Sequence, residues 1–414
     1  MKGAVHKRTT CRACKNTKLT KVLSLGPTPL ANAFLTKEML DKEEMFYPLD
    51  VYFCQNCHFL QLGHVVRPEI LFKNYVYVSS TSPVFVEHFH DFAHDLIQRF
   101  DLDQKSLVVD IGSNDGILLK PLKEHNLRTL GIEPAQNIAA RANKDGIKTI
   151  AKFFTTALAR SIGKAYGQAS VVTANNVFAH IDNLDEVIEG TKILLKKNGV
   201  FVVEAPYLVD FLTKNYFDLV YHEHLSYLSV KPLQTLFHRF DMEIFDVQKV
   251  PVHGGSIRVF VKGKGAAYKQ TARLSHFLKL EKRMRLDRVE TYFTYADKVR
   301  INKTKLIALL TKLKHQGKSI AGYGAPAKGN TLLNYFGIGT DYINYIIDDS
   351  PYKQGLYSPG KHIPVVASAM LAKQKPDYLL LLAWNFAKPI MEKLQDYQHQ
   401  GGKFIVPVPR PKTV

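Results

Sequence analysis

Ser106-Leu107-Val108-Val109-Asp110-Ile111-Gly112-Ser113-Asn114-Asp115-Gly116 decides the fold. A short aliphatic run with an acid near its end has the pattern of a buried strand, and a glycine turn and a helical stretch follow it. Glycines at such a junction let the backbone pass close to a ligand with no Cβ in the way. Working outward, Thr129-Leu130-Gly131-Ile132-Glu133 is the next strand and Ala135 to Asp145 the next helix. Ser170 to Ala174 and Gly199 to Glu204 continue the alternation, and Ile257 to Val261 reads as a late strand. Strands alternating with helices imply a parallel sheet, here a Rossmann-like domain.

Downstream, a long charged helical stretch from about Tyr268 to Lys314 leads into a second alternating block. Its strands are Ser319-Ile320-Ala321-Gly322, Tyr345 to Asp348, Tyr378 to Leu382 and Phe404-Ile405-Val406, which predict a second, smaller α/β domain. Upstream, a block ending near residue 75 holds a turn at Gly26-Pro27-Thr28-Pro29, a strand-like Leu49 to Phe53, and all four cysteines of the chain. These fall as two knuckles, Cys11-Arg12-Ala13-Cys14 and Cys54-Gln55-Asn56-Cys57. Paired Cys-x-x-Cys knuckles supply the four thiolates of a closed tetrahedral zinc site. Four unrelated buried thiols or two redox dithiols are the alternatives. A four-thiolate site has no open coordination position, so zinc there is structural and the chemistry lies elsewhere.

With 414 residues, 46% hydrophobic and 22% charged, the chain has the composition of an ordinary water-soluble protein of two or three domains. The apolar run from Tyr378 to Trp384 is strand length, too short for a membrane span, and the N-terminus shows no apolar signal segment. Metal-binding thiols without an export signal lead us to expect the cytoplasm and no membrane partner. The formal charge of +19 invites a polyanionic partner. However, lysines are spread along the whole length, and Glu281, Asp287 and Glu290 interrupt the basic stretch from Lys269, which reads as a solvated helix face. An anionic small substrate explains the charge as well, and nucleic acid is not expected.

Three loops carry candidate chemistry. In the first, Glu133 ends the second strand, followed by Pro134, where a carboxylate can accept hydrogen bonds from ribose hydroxyls. The run Asp110, Gly112, Asn114, Asp115, Gly116 departs from the dinucleotide pattern G-x-G-x-x-G. It resembles the D/E-x-G-x-G-x-G of class I methyltransferases, with Asn114 at the middle glycine; a dinucleotide enzyme or a bare turn stays open. Asn175 and Asn176 would lie along the same edge. The second loop, Tyr221-His222-Glu223-His224-Leu225-Ser226-Tyr227, is the densest titratable cluster. It lacks the H-E-x-x-H zinc-protease spacing, and if extended it puts His222 and His224 on one face. A polar surface loop is the plain alternative, as a core histidine is for nearby His180. The third loop runs from Ala321 to Thr331 and includes Tyr323, Lys328 and Asn330. A helix N-terminus beside a lysine suits a pyrophosphate. Gly324, Gly329 and Thr331 have Walker spacing, but Asn330 stands at the lysine position, which excludes a P-loop. A structural turn is the alternative.

Taken in order, these pieces resemble the sugar C-methyltransferases that build branched deoxysugars on nucleotide carriers. The likeness covers nearly the whole chain and includes Asn74 to Ser80 and Gly254-Gly255-Ser256-Ile257-Arg258. It implies a zinc module (1–75), a class I methyltransferase domain (76–262) and a C-terminal α/β domain (263–414) that helps hold the nucleotide-sugar. It also implies S-adenosylmethionine as methyl donor. A 4-keto group acidifies the C3 hydrogen of a nucleoside-diphosphate (dTDP) deoxysugar, a base removes that proton, and the enolate takes the methyl. By the same likeness His224 is the base. Tyr221 and Glu223 position it or the 4-keto oxygen, and Tyr75 and His180 close the pocket. The rival readings are an RNA methyltransferase and a non-catalytic, zinc-organised nucleotide-binding protein.

Overall fold

The computed structural model describes residues 3–72 and 78–414; Tyr75 lies outside the described residues. The decisive stretch is the strand Leu107–Ile111, every residue of which is buried. It lies inside a seven-stranded sheet whose order is Met242–Val250, Ser256–Gly263, Leu195–Pro206, Ala169–Asn175, Leu107–Ile111, Arg128–Ile132, Thr149–Ile150. The last five run parallel, while Ser256–Gly263 is antiparallel to both of its neighbours. Burial on both faces explains why these strands read as unbroken aliphatic runs. The helix Pro83–Phe100 covers one face, burying Phe85, Phe89, Phe92, Ala93 and Leu96 at helical spacing. Chain order reverses between Leu107–Ile111 and Ala169–Asn175, and the crevice at such a switch point is where open α/β sheets bind ligands.

The C-terminal domain holds a six-stranded sheet ordered Val365–Val366, Ile346–Ile347, Ile320–Tyr323, Tyr378–Leu381, Lys403–Val406, Lys412–Thr413, parallel except at its last strand. The N-terminal module has an antiparallel sheet of Leu19–Thr28, Tyr47–Cys54 and Leu60–Leu62. Its fourth strand, Ser226–Tyr227, comes from the central domain and begins two residues after His224. One buried apolar cluster runs through all three parts, from Val22 through Ile111 to Val408. Among the described residues no helix is long and apolar enough to cross a membrane.

Three expectations change. The expected turn at Gly26 to Pro29 is the end of the strand Leu19–Thr28, whose register shifts between Ser24 and Pro27. That strand is the sheet edge, where proline costs no ladder bond. The long helical stretch is two helices, Ala272–Arg283 and Val289–His315, separated by a turn in which Arg285 has φ 55°. Within the first, Glu281 is not on a solvated face. It is 3% exposed and accepts from the Tyr207 hydroxyl (3.0 Å) and from the amides of Val230 (2.6 Å) and Lys231 (2.9 Å). A buried carboxylate there satisfies the open amides of the helix Val230–His238.

Candidate active site

At the switch point the glycine turn is shaped by its own strand ends. Gly112, Asn114 and Gly116 have φ of 69°, 49° and 82°, a region glycine and asparagine tolerate. A Cβ on Gly116 would stand 2.7 Å from the Ile147 side chain. Glu133 ties the turn down, accepting from the Asn114 amide (3.0 Å) and the Ala135 amide (2.9 Å). Burial pushes its carboxyl above the ordinary value, and those two amides pull it back. Asp110 accepts from the Thr173 hydroxyl (2.6 Å) and the Asn175 amide (3.1 Å), and burial raises it to about 7.

Asn114 and Asp115 also hold the segment after residue 77. The Ser79 amide donates to Asn114 Oδ1 (2.9 Å), and the Ser80 hydroxyl donates to Asp115. Asp115 Oδ1, Asn175 Oδ1 and Asn176 Oδ1 are buried acceptors without a partner among the described residues. S-adenosylmethionine carries an ammonium, two ribose hydroxyls and an adenine amine, all donors, so this edge fits the cofactor. Sequence reasoning missed a neighbouring cluster. Glu204, fully buried, accepts from Arg258 (2.8 and 3.0 Å) and lies 2.7 Å from His88 Nε2. Burial alone would raise the Glu204 carboxyl, but His88 and Arg258 outweigh it and hold it below its ordinary value. The signal was an arginine in the aliphatic run Ile257 to Val261.

The polar segment is a turn, not a strand: the His224 amide donates to the Tyr221 carbonyl at 2.9 Å. The two histidines therefore part. His222 is buried with Nε2 3.0 Å from the Tyr47 carbonyl of the zinc module, and desolvation lowers it to about 4. His224 Nδ1 lies 2.7 Å from the Leu219 carbonyl, and its Nε2 is 2.9 Å from the Tyr221 hydroxyl. A carbonyl only accepts, so Nδ1 carries a proton, and in the neutral ring Nε2 holds the lone pair. His180 packs edge-on against His224, ring centroids 4.9 Å apart. Glu223 accepts from Asn32 Nδ2 at 2.6 Å, a second link to the N-terminal module.

The third loop is partly closed. Lys328 donates to Asn385 and stacks 4.0 Å from the Trp384 ring centre. Desolvation lowers its ammonium to about 8, against the pull of Asp218. Asp218, buried in the central domain, accepts from Trp384 Nε1 at 2.5 Å and is raised to about 6 by burial. The Tyr323 hydroxyl reaches Asp349 at 3.4 Å. Asn330 is 1% exposed and donates to the Ala31 carbonyl at 2.8 Å. Its Nδ2 thus joins two domains, while its Oδ1 is a buried acceptor without a partner among the described residues.

In the N-terminal module the sulfurs of Cys11, Cys14, Cys54 and Cys57 all lie within 4.8 Å of one another. Cys11–Cys57 and Cys14–Cys54 are 3.5 and 3.6 Å apart. Thiolates about 2.3 Å from a tetrahedral zinc stand roughly 3.8 Å from each other, so the donor set fits zinc. Each knuckle closes on a left-handed residue, Lys15 (φ 64°) or His58 (φ 67°), whose amide donates to the first cysteine's carbonyl.

Known families match this chain in three stretches. A C-methyltransferase C-terminal domain family matches residues 251–409, a zinc binding domain family 11–72 and a methyltransferase domain family 85–247. Over 404 residues the chain is 36% identical to the C-methyltransferase NovU of Streptomyces niveus, covering 98% of this chain and 96% of that protein. Similar solved structures include an S-adenosylmethionine-dependent methyltransferase from Clostridium acetobutylicum ATCC 824 (14% identity, 44% of this chain, 92% of that chain, TM-score 0.35). Another is magnesium protoporphyrin IX methyltransferase from Synechocystis PCC 6803 with bound SAH (13% identity, 43% and 83%, TM-score 0.35).

Proposed function

The chain belongs to the C-methyltransferase family and is an S-adenosylmethionine-dependent C-methyltransferase with a zinc-binding N-terminal module, and on that premise we propose that it methylates C3 of a nucleoside-diphosphate 4-keto-6-deoxysugar. The observation that carries this reading is the committed tautomer of His224, with Nδ1 on the Leu219 carbonyl and the Nε2 lone pair toward Tyr221. That nitrogen takes the C3 proton, and the electron pair left behind is delocalised onto the 4-keto oxygen as an enolate. In this reading the Tyr221 hydroxyl turns from Nε2 to that oxygen, since enolate charge needs donors set in advance. Glu223, His180 and Tyr75 complete the pocket in this reading.

When bound, S-adenosylmethionine supplies an electrophilic methyl group to the C3 carbanion. Asp110, Gly112, Asn114, Asp115, Gly116, Glu133, Pro134, Asn175 and Asn176 form the cofactor edge in this reading. The division of labour follows residues 1–75, 76–262 and 263–414, with Tyr323 and Lys328 facing the nucleotide. Incubation with S-adenosylmethionine and a panel of dTDP-4-keto-6-deoxysugars, read by mass, tests the substrate class. His224→Asn is expected to cut methyl transfer about 10²- to 10⁴-fold while calorimetry shows the cofactor still bound. Full turnover in that variant removes His224 from the mechanism.

A further inference from the structure

The residue that follows the first of the four cysteines reaches out of the knuckle to three other segments. The Arg12 side chain is 0% exposed, and its Nη1 donates to the carbonyls of Leu62 (2.7 Å) and Leu225 (3.1 Å). Nε donates to Asp182 Oδ1 at 3.0 Å. Leu225 directly follows His224, and Asp182 stands two residues after His180. One guanidinium therefore holds both histidine-bearing segments. Between those two points the Leu225 amide donates to the Ala179 carbonyl at 2.9 Å, beside the His180–His224 ring contact.

The rest of the knuckle grips the same connection. Arg239 donates to the Ala13 carbonyl (2.7 Å) and forks onto Asp185 (3.0 and 2.9 Å). Lys15 lies 2.9 Å from Asp185, and Arg8 2.9 Å from Asp182. Burying a guanidinium is costly unless its charge is met; Asp182 Oδ1 lies 3.0 Å from both Nε and Nη2, although Nη2 makes no hydrogen bond among the described residues. The planar fork spreads its donors over two carbonyls and a carboxylate in fixed directions, a geometry that the single ammonium of lysine does not reproduce. We infer that Arg12 is a positioning residue for methyl transfer, setting the register of His180 against His224 from inside the zinc knuckle.

The inference rests on His224 acting as base, and its test separates the two. Arg12→Lys, Arg12→Met and Asp182→Asn are compared with wild type for zinc content, cofactor affinity by calorimetry and turnover of a dTDP-4-keto-6-deoxysugar. Long-range ¹⁵N–¹H spectra report the histidine ring tautomers. In Arg12→Met we expect one zinc per chain and cofactor affinity within about twofold, since neither site uses the guanidinium. The kcat should fall on the order of 10²-fold with KM within about threefold, as a misplacement near 1 Å can cause. The His224 signal should leave the pure Nδ1–H pattern. Arg12→Lys should recover little, and Asp182→Asn should lose roughly 10-fold and move the same signal. Wild-type kcat and ring signals in zinc-loaded Arg12→Met overturn the inference. Should Arg12→Met fail to fold or to hold zinc, unchanged kcat and ring signals in Asp182→Asn overturn it instead. Failure of the base reading shows separately, as full turnover in His224→Asn; the tautomer signal still decides the role of Arg12.

Discussion

His222 and His224, two residues apart, have opposite fates because one is desolvated and the other is oriented. His222 is 1% exposed, and burial lowers it from 6.5 to about 4. The sign of its effect on stability follows. Above pH 6.5 it is neutral both folded and unfolded; as pH falls toward 4 the unfolded chain takes a proton that the folded one refuses. Stability is therefore lost across that window, by about 3 kcal/mol if the full shift is realised. Asp110 and Asp218, raised to about 7 and 6, act in the opposite direction as they protonate. A comparison with His222→Gln, which can still donate to the Tyr47 carbonyl but does not titrate, cancels the two acids. Urea unfolding at pH 7 and pH 4.5 should show wild type losing more than the variant by about 2 kcal/mol. Equal losses would mean that His222 takes its proton while folded.

At the scale of elements, the helix Val230–His238 begins on a carboxylate from another helix. Glu281 meets two of its amides and the Tyr207 hydroxyl. Removing it leaves two buried donors and one half-buried donor unmet, so Glu281→Ala should destabilise the protein by about 2–4 kcal/mol in urea. Tyr207→Phe, which takes away one donor and its need together, should cost about 1 kcal/mol or less. A loss below 1 kcal/mol in Glu281→Ala would show the amides finding water. This contact also marks what a sequence conceals. The strand Leu107–Ile111 and the cysteine knuckles were legible because their signals are local: an aliphatic run before a glycine turn, and a two-residue spacing. Glu281 read as part of a solvated helix face and Arg12 carried no signal of its own, since their side-chain partners lie fifty or more residues away. The strand Ser226–Tyr227 was illegible for the same reason; two residues without periodicity become a strand only beside Leu60–Leu62. The segment Tyr221 to Tyr227 stood out by its crowd of titratable types, and only the family resemblance picked His224 from it as the proposed base. Its ring orientation was not legible, because that depends on the Leu219 carbonyl.

For the molecule as a whole, one prediction follows from how the parts are sewn together. The zinc module does not sit apart: its sheet takes in Ser226–Tyr227, Asn32 holds Glu223, and Arg12 holds Leu225 and Asp182. On the far side, Asn330 of the C-terminal domain binds the Ala31 carbonyl, and Glu44 accepts from the Gly360 amide at 2.9 Å. The central sheet, by contrast, has one face of its own, where Phe85, Phe89 and Phe92 share a core with Val108, Val171 and Val202 and no residue of the zinc module takes part. Loss of metal should therefore loosen the molecule unevenly. In Cys57→Ser, with zinc absent by elemental analysis, hydrogen exchange should quicken at 10–16, 54–62, 179–185 and 219–228. The strands Leu107–Ile111 and Ala169–Asn175 should stay protected, because local opening follows contacts and not distance along the chain. Cofactor affinity, set at that protected edge, should change by less than about threefold, while methyl transfer falls with the disorder at 219–228. Exchange confined to the knuckles, or spread evenly to the central sheet, would break the link drawn between the zinc module and the histidine pair. The first pattern would make the module a passive appendage; the second would make it a condition for folding at all.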